Sequence, residues 1–438
     1  MISELISDMV RNAGVASLPA IKRAAGAVTR LVPIPQPFVL VGPGSAARLG
    51  QAIADFGHRR LLLVTDTVIT RLGLMAPLTE ALREAGTPFV VFDAITPDAP
   101  IPVIEEGLEL YLAEGCDAIV AFGGGSVMDA AKVIALAAAN HKRPRELAGY
   151  FRGLHGPAPI YAVPTTAGTG SEVTVAAIIS DPGLGRKYMV ADTRIVPDMA
   201  ALDPTLMIGL PAAVTAATGM DALTHAIEAF ISEWATPYTD RMALAAASMI
   251  WQHLPRVVRD GSDLVSREKM ALASTYAGLA FTRANVGNVH AIAHQLGGRY
   301  HVPHGQANAI MLPPVLRWCL PDAAPRLARL AERVGLRSNG DRATAEKLVD
   351  AVQALNDALS MPRTLDALRE DDIPELARAA CHEADMNYPV PRRMSRADCE
   401  TLLRSVLPGA PQAAAKKKPA PRRRPAAAKK ARALRRKT

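Results

Sequence analysis

Between Gly219 and His304 the chain gathers residue types that bind transition metals. Asp221 and His225 stand four apart in a helix-forming stretch, so their side chains leave one helical face. His290 and His294 repeat that spacing, and Tyr300, His301 and His304 follow, the last directly after Pro303. Five of the ten histidines are numbers 225, 290, 294, 301 and 304. A lone histidine is usually a packed core or surface residue. One carboxylate with several imidazoles on facing elements is instead the donor set of a divalent transition-metal site.

The elements that must position these groups follow from hydrophobic patterning. Short β-rich runs at 38–41, 61–65, 88–92, 118–122 and 160–163 alternate with helical stretches at 51–56, 78–85, 103–113 and 127–139. Buried strands separated by helices predict a parallel sheet covered on both faces. Beyond Leu210 the β signal stops, and helical periodicity runs through 211–231, 239–258, 266–281, 308–334, 343–359 and 396–406. The expected fold class is therefore α/β followed by all-α. The domains read as an extension at 1–36, possessing some helical character, an α/β domain at 37–209, a helical metal-binding domain at 210–408 and a disordered basic tail at 409–438.

The α/β part carries two loops suited to a ligand. The run 118–122 passes directly into Gly123-Gly124-Gly125-Ser126, where glycines allow backbone N–H groups close to a phosphate at a helix N-terminus. After the next strand comes Pro164-Thr165-Thr166-Ala167-Gly168-Thr169-Gly170-Ser171-Glu172. Loops after consecutive strand ends are where open α/β sheets bind cofactors. Asp66 follows the strand at 61–65, where it can accept ribose hydroxyls or simply cap a helix. A carboxylate there repels a 2′-phosphate, which favours NAD over NADP.

These motifs, with Gly219-Met220-Asp221-Ala222-Leu223-Thr224-His225 and the histidines to His304-Gly305, resemble the iron-containing (group III) alcohol dehydrogenases from about Pro37 to Arg404. The resemblance implies a Rossmann-like dinucleotide-binding domain, a helical domain and a cleft between them, in a dehydroquinate synthase-like architecture. It implies Asp221, His225, His290 and His304 as metal ligands, and His294 as a nearby active-site histidine that relays a proton or orients a neighbour. It implies Asp66, Gly124, Gly125, Ser126, Asp129, Thr165, Thr166, Thr174 and Lys187 as cofactor-contacting residues. Where the family commonly has Asn-Pro-Thr, this chain has Asp98-Ala99-Pro100, so Asp98 is a weaker candidate. The activity implied is NAD-linked oxidation of an alcohol or reduction of an aldehyde, with Fe²⁺, although the donor chemistry also accepts Zn²⁺, Ni²⁺ or Co²⁺. A polyol or glycerol-type dehydrogenase of the same superfamily is the alternative, and homo-oligomers are common among such enzymes.

Composition bounds the rest. The four cysteines, Cys116, Cys319, Cys381 and Cys399, are scattered without metal or redox spacing, which fits a reducing cytoplasm. No apolar run approaches a membrane span, and the first thirty residues do not read as a signal peptide. The net charge of +8 comes from residues 416–438, which hold twelve Lys and Arg and no acidic residue. Setting those aside leaves the remaining chain at about −4. Such a segment cannot bury enough surface to fold alone; a solvated extension is one reading, and salt-sensitive binding of nucleic acid or another polyanion is the other.

Overall fold

Leu61-Leu62-Leu63-Val64 is apolar at every position because both faces of its strand are covered. Leu61 and Leu63 enter one hydrophobic cluster, whereas Leu62 and Val64 enter another. This alternation organises the α/β half of the protein, a computed structural model that describes residues 32–409. The expected helical extension, apart from residues 32–36, and the basic tail beyond Gly409 lie outside the described residues.

In chain order the first half comprises β1 (Phe38–Val41), α1 (Ser45–Ala54), β2 (Leu61–Val64), α2 (Thr67–Arg71), α3 (Ala76–Glu84), β3 (Phe89–Phe92), α4 (Ile101–Ala113), β4 (Ala118–Gly123) and α5 (Gly125–Asn140). It continues through β5 (Gly149–Tyr150), β6 (Ile160–Pro164), β7 (Ala176–Asp181), β8 (Arg186–Ala191) and β9 (Met199–Leu202). The main sheet has the order β1-β9-β6-β4-β2-β3, and every neighbouring pair is parallel. Helices α1 and α3 cover one face through Leu49, Ile53, Leu78 and Leu82. Helices α4 and α5 cover the other through Ile104, Val133 and Ile134. Emptying such a position, as in Leu63→Ala, costs about 2–5 kcal/mol.

All five expected strands are present, but the second half of this sheet was less legible. β9, Met-Ala-Ala-Leu, pairs between β1 and β6 although alanine is a weak strand former. The antiparallel hairpin β7–β8, with β5 beside β8, forms a separate small sheet.

The helical half contains α6 (Ala212–Ile231), α7 (Pro237–Arg259), α8 (Leu264–Ala284), α9 (Asn288–Tyr300), α10 (His304–Arg333), α11 (Asp341–Ala358), α12 (Ile373–Asn387) and α13 (Arg396–Arg404). Pro211 is the N-cap of α6, where its fixed φ and missing N–H cost nothing. α6 is buried along its last thirteen residues, so it runs through the middle of one large apolar cluster. None of the described helices is long and apolar enough to cross a membrane.

Candidate metal centre and cofactor cleft

Three helices bring the metal-binding residue types together. Asp221 and His225 lie one turn apart on α6, His290 lies in the first turn of α9, and His304 is the first residue of α10. Gly305 permits that meeting, because a Cβ there would lie 2.2 Å from the Ala217 carbonyl oxygen on α6. One donor atom from each of the four residues can be chosen so that all lie within 4.8 Å of one another. Asp221 Oδ1 is 3.4 Å from His304 Nε2 and 3.8 Å from His290 Nε2, and Asp221 Oδ2 is 3.9 Å from His225 Nδ1. Separations of this size suit donors about 2.0–2.2 Å from one shared ion.

Protonation favours the same reading. Burial pulls His225 down, carries His290 well below the ordinary imidazole range and lowers His304 to about 4. All three imidazoles are thus held neutral, the form that ligates. The ring of His225 stacks on Phe281 with centroids 4.2 Å apart, and the nearby Gly168 backbone pulls its pKa up against the stronger effect of burial. Its Nδ1 is buried with no hydrogen-bond partner. A buried lone pair without a partner is costly unless something electrophilic meets it, so the donor set fits a divalent transition metal.

Two buried residues that sequence reasoning did not single out support these donors. Glu228 Oε2 accepts from Gly287 N at 2.9 Å and from His290 Nδ1 at 2.5 Å, while its Oε1 accepts from Val289 N at 2.7 Å. Burial pushes the Glu228 carboxyl up to about 7 against the pull of these donors. Asn308, one turn beyond His304 on α10, donates from Nδ2 to Asp221 Oδ1 at 2.7 Å. Both were legible in principle. Glu228 stands one helical turn past His225 on the same face, and Asn308 repeats the four-residue step from His304.

His294 stands apart from the four. Its Nδ1 is 2.6 Å from Glu383 Oε1 on α12, and that carboxylate also accepts from Gln295 Nε2 and from the Tyr388 hydroxyl. Burial works to lower His294, but the Glu383 carboxylate outweighs it and the pKa is raised. Its ring stacks on His304 with centroids 5.3 Å apart. It lines a cleft of about 1300 Å³ between the β7–β8 hairpin and helices α9 and α12, together with Asp98, Lys187 and Glu383. Helix α12, and therefore Glu383, was missed in the sequence because nothing local links it to His294, 89 residues away.

Of the cofactor candidates, Lys187 lines this cleft with the weaker candidate Asp98, and the others lie on the glycine turn, the threonine loop and the nearby helix starts. Gly124 caps α5 in an extended conformation with no side-chain cap, so the first N–H groups of a sixteen-residue helix remain open to an anion. A Cβ on Gly125 would lie 2.6 Å from Thr169 Cγ2, and one on Gly124 would lie 3.5 Å from Thr166 Oγ1. The glycine turn and the threonine loop therefore adjoin, and glycine keeps the space between them clear. Thr165 is buried, its N–H bonded to the Gly123 carbonyl, and Thr166 is half-buried. Ser126 Oγ accepts from Asp98 N at 3.1 Å, and Lys187 Nζ pairs with Asp98 Oδ1 at 2.5 Å. Asp98 holds a left-handed backbone, φ 67°, which places the weaker candidate between two of the stronger ones.

The remaining candidates are committed to internal bonds. Asp66 Oδ1 caps α2 by accepting from Val68 N and Ile69 N at 2.9 and 3.0 Å. The Asp129 carboxylate accepts from Ser171 Oγ at 2.7 Å and Ile178 N at 2.9 Å, and Thr174 Oγ1 meets Lys132 Nζ at 3.0 Å. In the described structure Asp129 holds the threonine loop through Ser171, and Thr174 is the point where Lys132 meets that loop.

Comparison with known proteins agrees with this geometry. Residues 36–204 match the family model described as iron-containing alcohol dehydrogenase, and residues 215–407 match the C-terminal model of the same family. The chain is 36% identical over 375 residues to the NAD-dependent methanol dehydrogenase of Bacillus methanolicus, covering 85% of this chain and 98% of that one. It is 39% identical over 372 residues to the 1,3-propanediol dehydrogenase of Klebsiella pneumoniae, covering 84% and 96% respectively. A solved structure of a 1,3-propanediol oxidoreductase superposes with a TM-score of 0.82 at 37% identity, covering 86% of this chain and all of that one. A donor set gathered from three helices, two consecutive family models and relatives matched almost end to end lead to one conclusion: the chain belongs to the iron-containing alcohol dehydrogenase family.

Proposed function

We propose that this protein is an NAD-linked, metal-activated alcohol dehydrogenase, acting on a small primary alcohol or diol or on the corresponding aldehyde. The observation that carries the proposal is the convergence of Asp221, His225, His290 and His304 donors within 4.8 Å. Relatives named for methanol and 1,3-propanediol support the substrate class, and the family name supports Fe²⁺.

A divalent ion held by these four residues supplies Lewis acidity to an alcohol hydroxyl or a carbonyl oxygen. The protein's own residues do the rest. Glu228 accepts a hydrogen bond from His290 Nδ1–H, which keeps the proton on Nδ1 and leaves the Nε2 lone pair for the metal. Glu383 accepts in the same way from His294, whose Nε2 is then free to receive the alcohol proton and pass it to the cleft. The α5 N-terminus and the Gly124-Gly125-Ser126 turn take the cofactor pyrophosphate, with Thr165 and Thr166 beside it. Asp66 takes the adenosine ribose, and Lys187, fixed by Asp98, borders the nicotinamide side of the cleft. Holding both reactants at near-contact geometry supplies several kcal/mol of the barrier. The 37–209 and 210–408 segments act as the two halves of this site, and residues 409–438 form an extension with no part in turnover.

The test is formation of NADH by the Fe²⁺-loaded protein with methanol, 1-propanol and 1,3-propanediol, run beside NADP and beside the Zn²⁺-loaded protein. Absence of turnover with every alcohol and aldehyde tried, at full metal occupancy, would overturn the proposal.

A further inference from the structure

Lys132 is fully buried, which is rare for a lysine and demands partners. Its Nζ lies 2.9 Å from Ser171 Oγ, 3.0 Å from both the carbonyl and the hydroxyl of Thr174, and 3.1 Å from the Ala176 carbonyl. All four acceptors belong to one segment, the end of the threonine loop and the start of β7. Asp129, one turn earlier on α5, reaches the same segment through Ser171 Oγ and Ile178 N. One turn of the helix that begins at the glycine turn therefore grips the loop from beneath.

The loop is held on its other side by the helical half. Glu172 Oε1 accepts from Thr275 Oγ1 at 2.7 Å, and Val175 N donates to Thr282 Oγ1 at 3.0 Å. Between them Gly170 and Gly278 touch so closely that a Cβ on either would fall within 2.9 Å of the other's backbone. Thr275, Gly278 and Thr282 share one face of α8. Gly168 lies against α6, where a Cβ would be 2.8 Å from Thr218 Cβ, and its backbone is near enough to His225 to pull that imidazole's pKa up. The same ten residues thus border the glycine turn at one end and a metal-binding histidine at the other.

We infer that Lys132 is a positioning residue for both halves of the site. By fixing the 165–174 loop, its ammonium sets the place of Thr165 and Thr166 beside the cofactor turn and of the Gly168 backbone near His225. Lys132 touches neither cofactor nor metal; it acts through the loop. This rests on the dehydrogenase reading, and it adds that cofactor affinity and metal affinity share one buried anchor.

The experiment uses the full chain and two binding constants rather than turnover. NADH is titrated calorimetrically, and Zn²⁺, chosen because it does not oxidise, is titrated against a competing chelator. Lys132→Met is expected to weaken Zn²⁺ about tenfold, the usual scale for losing an orienting partner behind a ligand, and to weaken NADH several-fold. Leu78→Ala opens a cavity on the α1–α3 side of the sheet, so it lowers Tm and leaves both constants where they were. A Lys132→Met protein that loses thermal stability yet binds Zn²⁺ and NADH like the unmodified chain would overturn the inference. If that variant does not fold, Ser171→Ala removes the hydroxyl between Asp129 and Lys132 without stranding a charge. Both constants should then weaken by a few-fold, and two unchanged constants again overturn the inference. Failure of the unmodified protein to bind NADH would count against the dehydrogenase reading instead, and the Zn²⁺ arm would still decide the role of Lys132.

Discussion

Glu228 Oε2 lies 2.5 Å from His290 Nδ1, so a carboxylate outside the donor set determines which nitrogen of a donor histidine faces Asp221. Glu228 also holds Gly287 N and Val289 N, the backbone that begins α9. Glu228→Gln replaces one acceptor oxygen with a donor in a pocket of three donors. Metal affinity should fall by about 10–100-fold, measured by chelator competition, while NADH binding is retained. Unchanged metal affinity would mean that the α9 backbone alone aims the ring.

Removing a donor should act differently from removing a neighbour. His290→Ala or His304→Ala is expected to lower metal content and turnover together and to spare NADH binding. His294→Ala should keep the metal and lose rate, because its ring is tied to Glu383 rather than to Asp221. Elemental analysis beside steady-state rates separates these outcomes. If His304→Ala stays fully loaded and active while His294→Ala loses metal, the roles of these two histidines are exchanged.

Asp66 uses Oδ1 to cap α2, and under the proposed function its Oδ2 is the acceptor for a ribose hydroxyl. The unmodified protein should prefer NAD, and Asp66→Gly should relax that preference chiefly by improving NADP affinity. Loss of the cap itself costs only a few tenths of a kcal/mol with glycine as the replacement. Equal kcat/KM for both cofactors before mutation would remove Asp66 from the discrimination.

Truncation after Pro408 should leave dehydrogenase kinetics intact, since the last buried side chain before it, Val406, remains in the helical core. The same truncation should abolish any salt-dependent retention on polyanions, because it removes all twelve cations of residues 416–438. A truncated protein that loses turnover would assign the tail to the enzyme.

High pH should destabilise the fold through a buried thiol on α10 that shares a small cavity with Glu228. Burial raises the Cys319 thiol from 9.0 to about 12. Its folded-state pKa lies above the unfolded one, so its contribution is complete below pH 9 and is lost as pH rises through 12. The loss approaches about 1.4 kcal/mol per pH unit inside that window for a single such group. Cys319→Ala should flatten the alkaline limb of a Tm-against-pH curve; an identical slope would show that other groups dominate it.

The legible and illegible parts of this protein divide along a physical line. The four donor residues announced themselves because helical spacing puts Asp221 above His225, and because histidine is scarce enough for a cluster to stand out. Strands β1, β2, β3, β4 and β6 were visible as apolar runs. β9 was hidden because Met-Ala-Ala-Leu carries no strand propensity, and it is a strand only because β1 and β6 leave a gap that it fills. Glu228, Asn308 and Glu383 were hidden for a related reason. An orienting partner is an ordinary polar residue until the chain has folded, and its partner lies 62, 87 or 89 positions away.

The contact between Gly170 and Gly278 bears on how the two halves fit together. Backbone touching backbone leaves no side chain to slide or change rotamer, so this seam fixes the spacing of the two halves. The threonine loop sits on that seam. A side chain at either glycine would wedge the loop away from α8, and the displacement would carry along the chain to Gly168, which lies against α6.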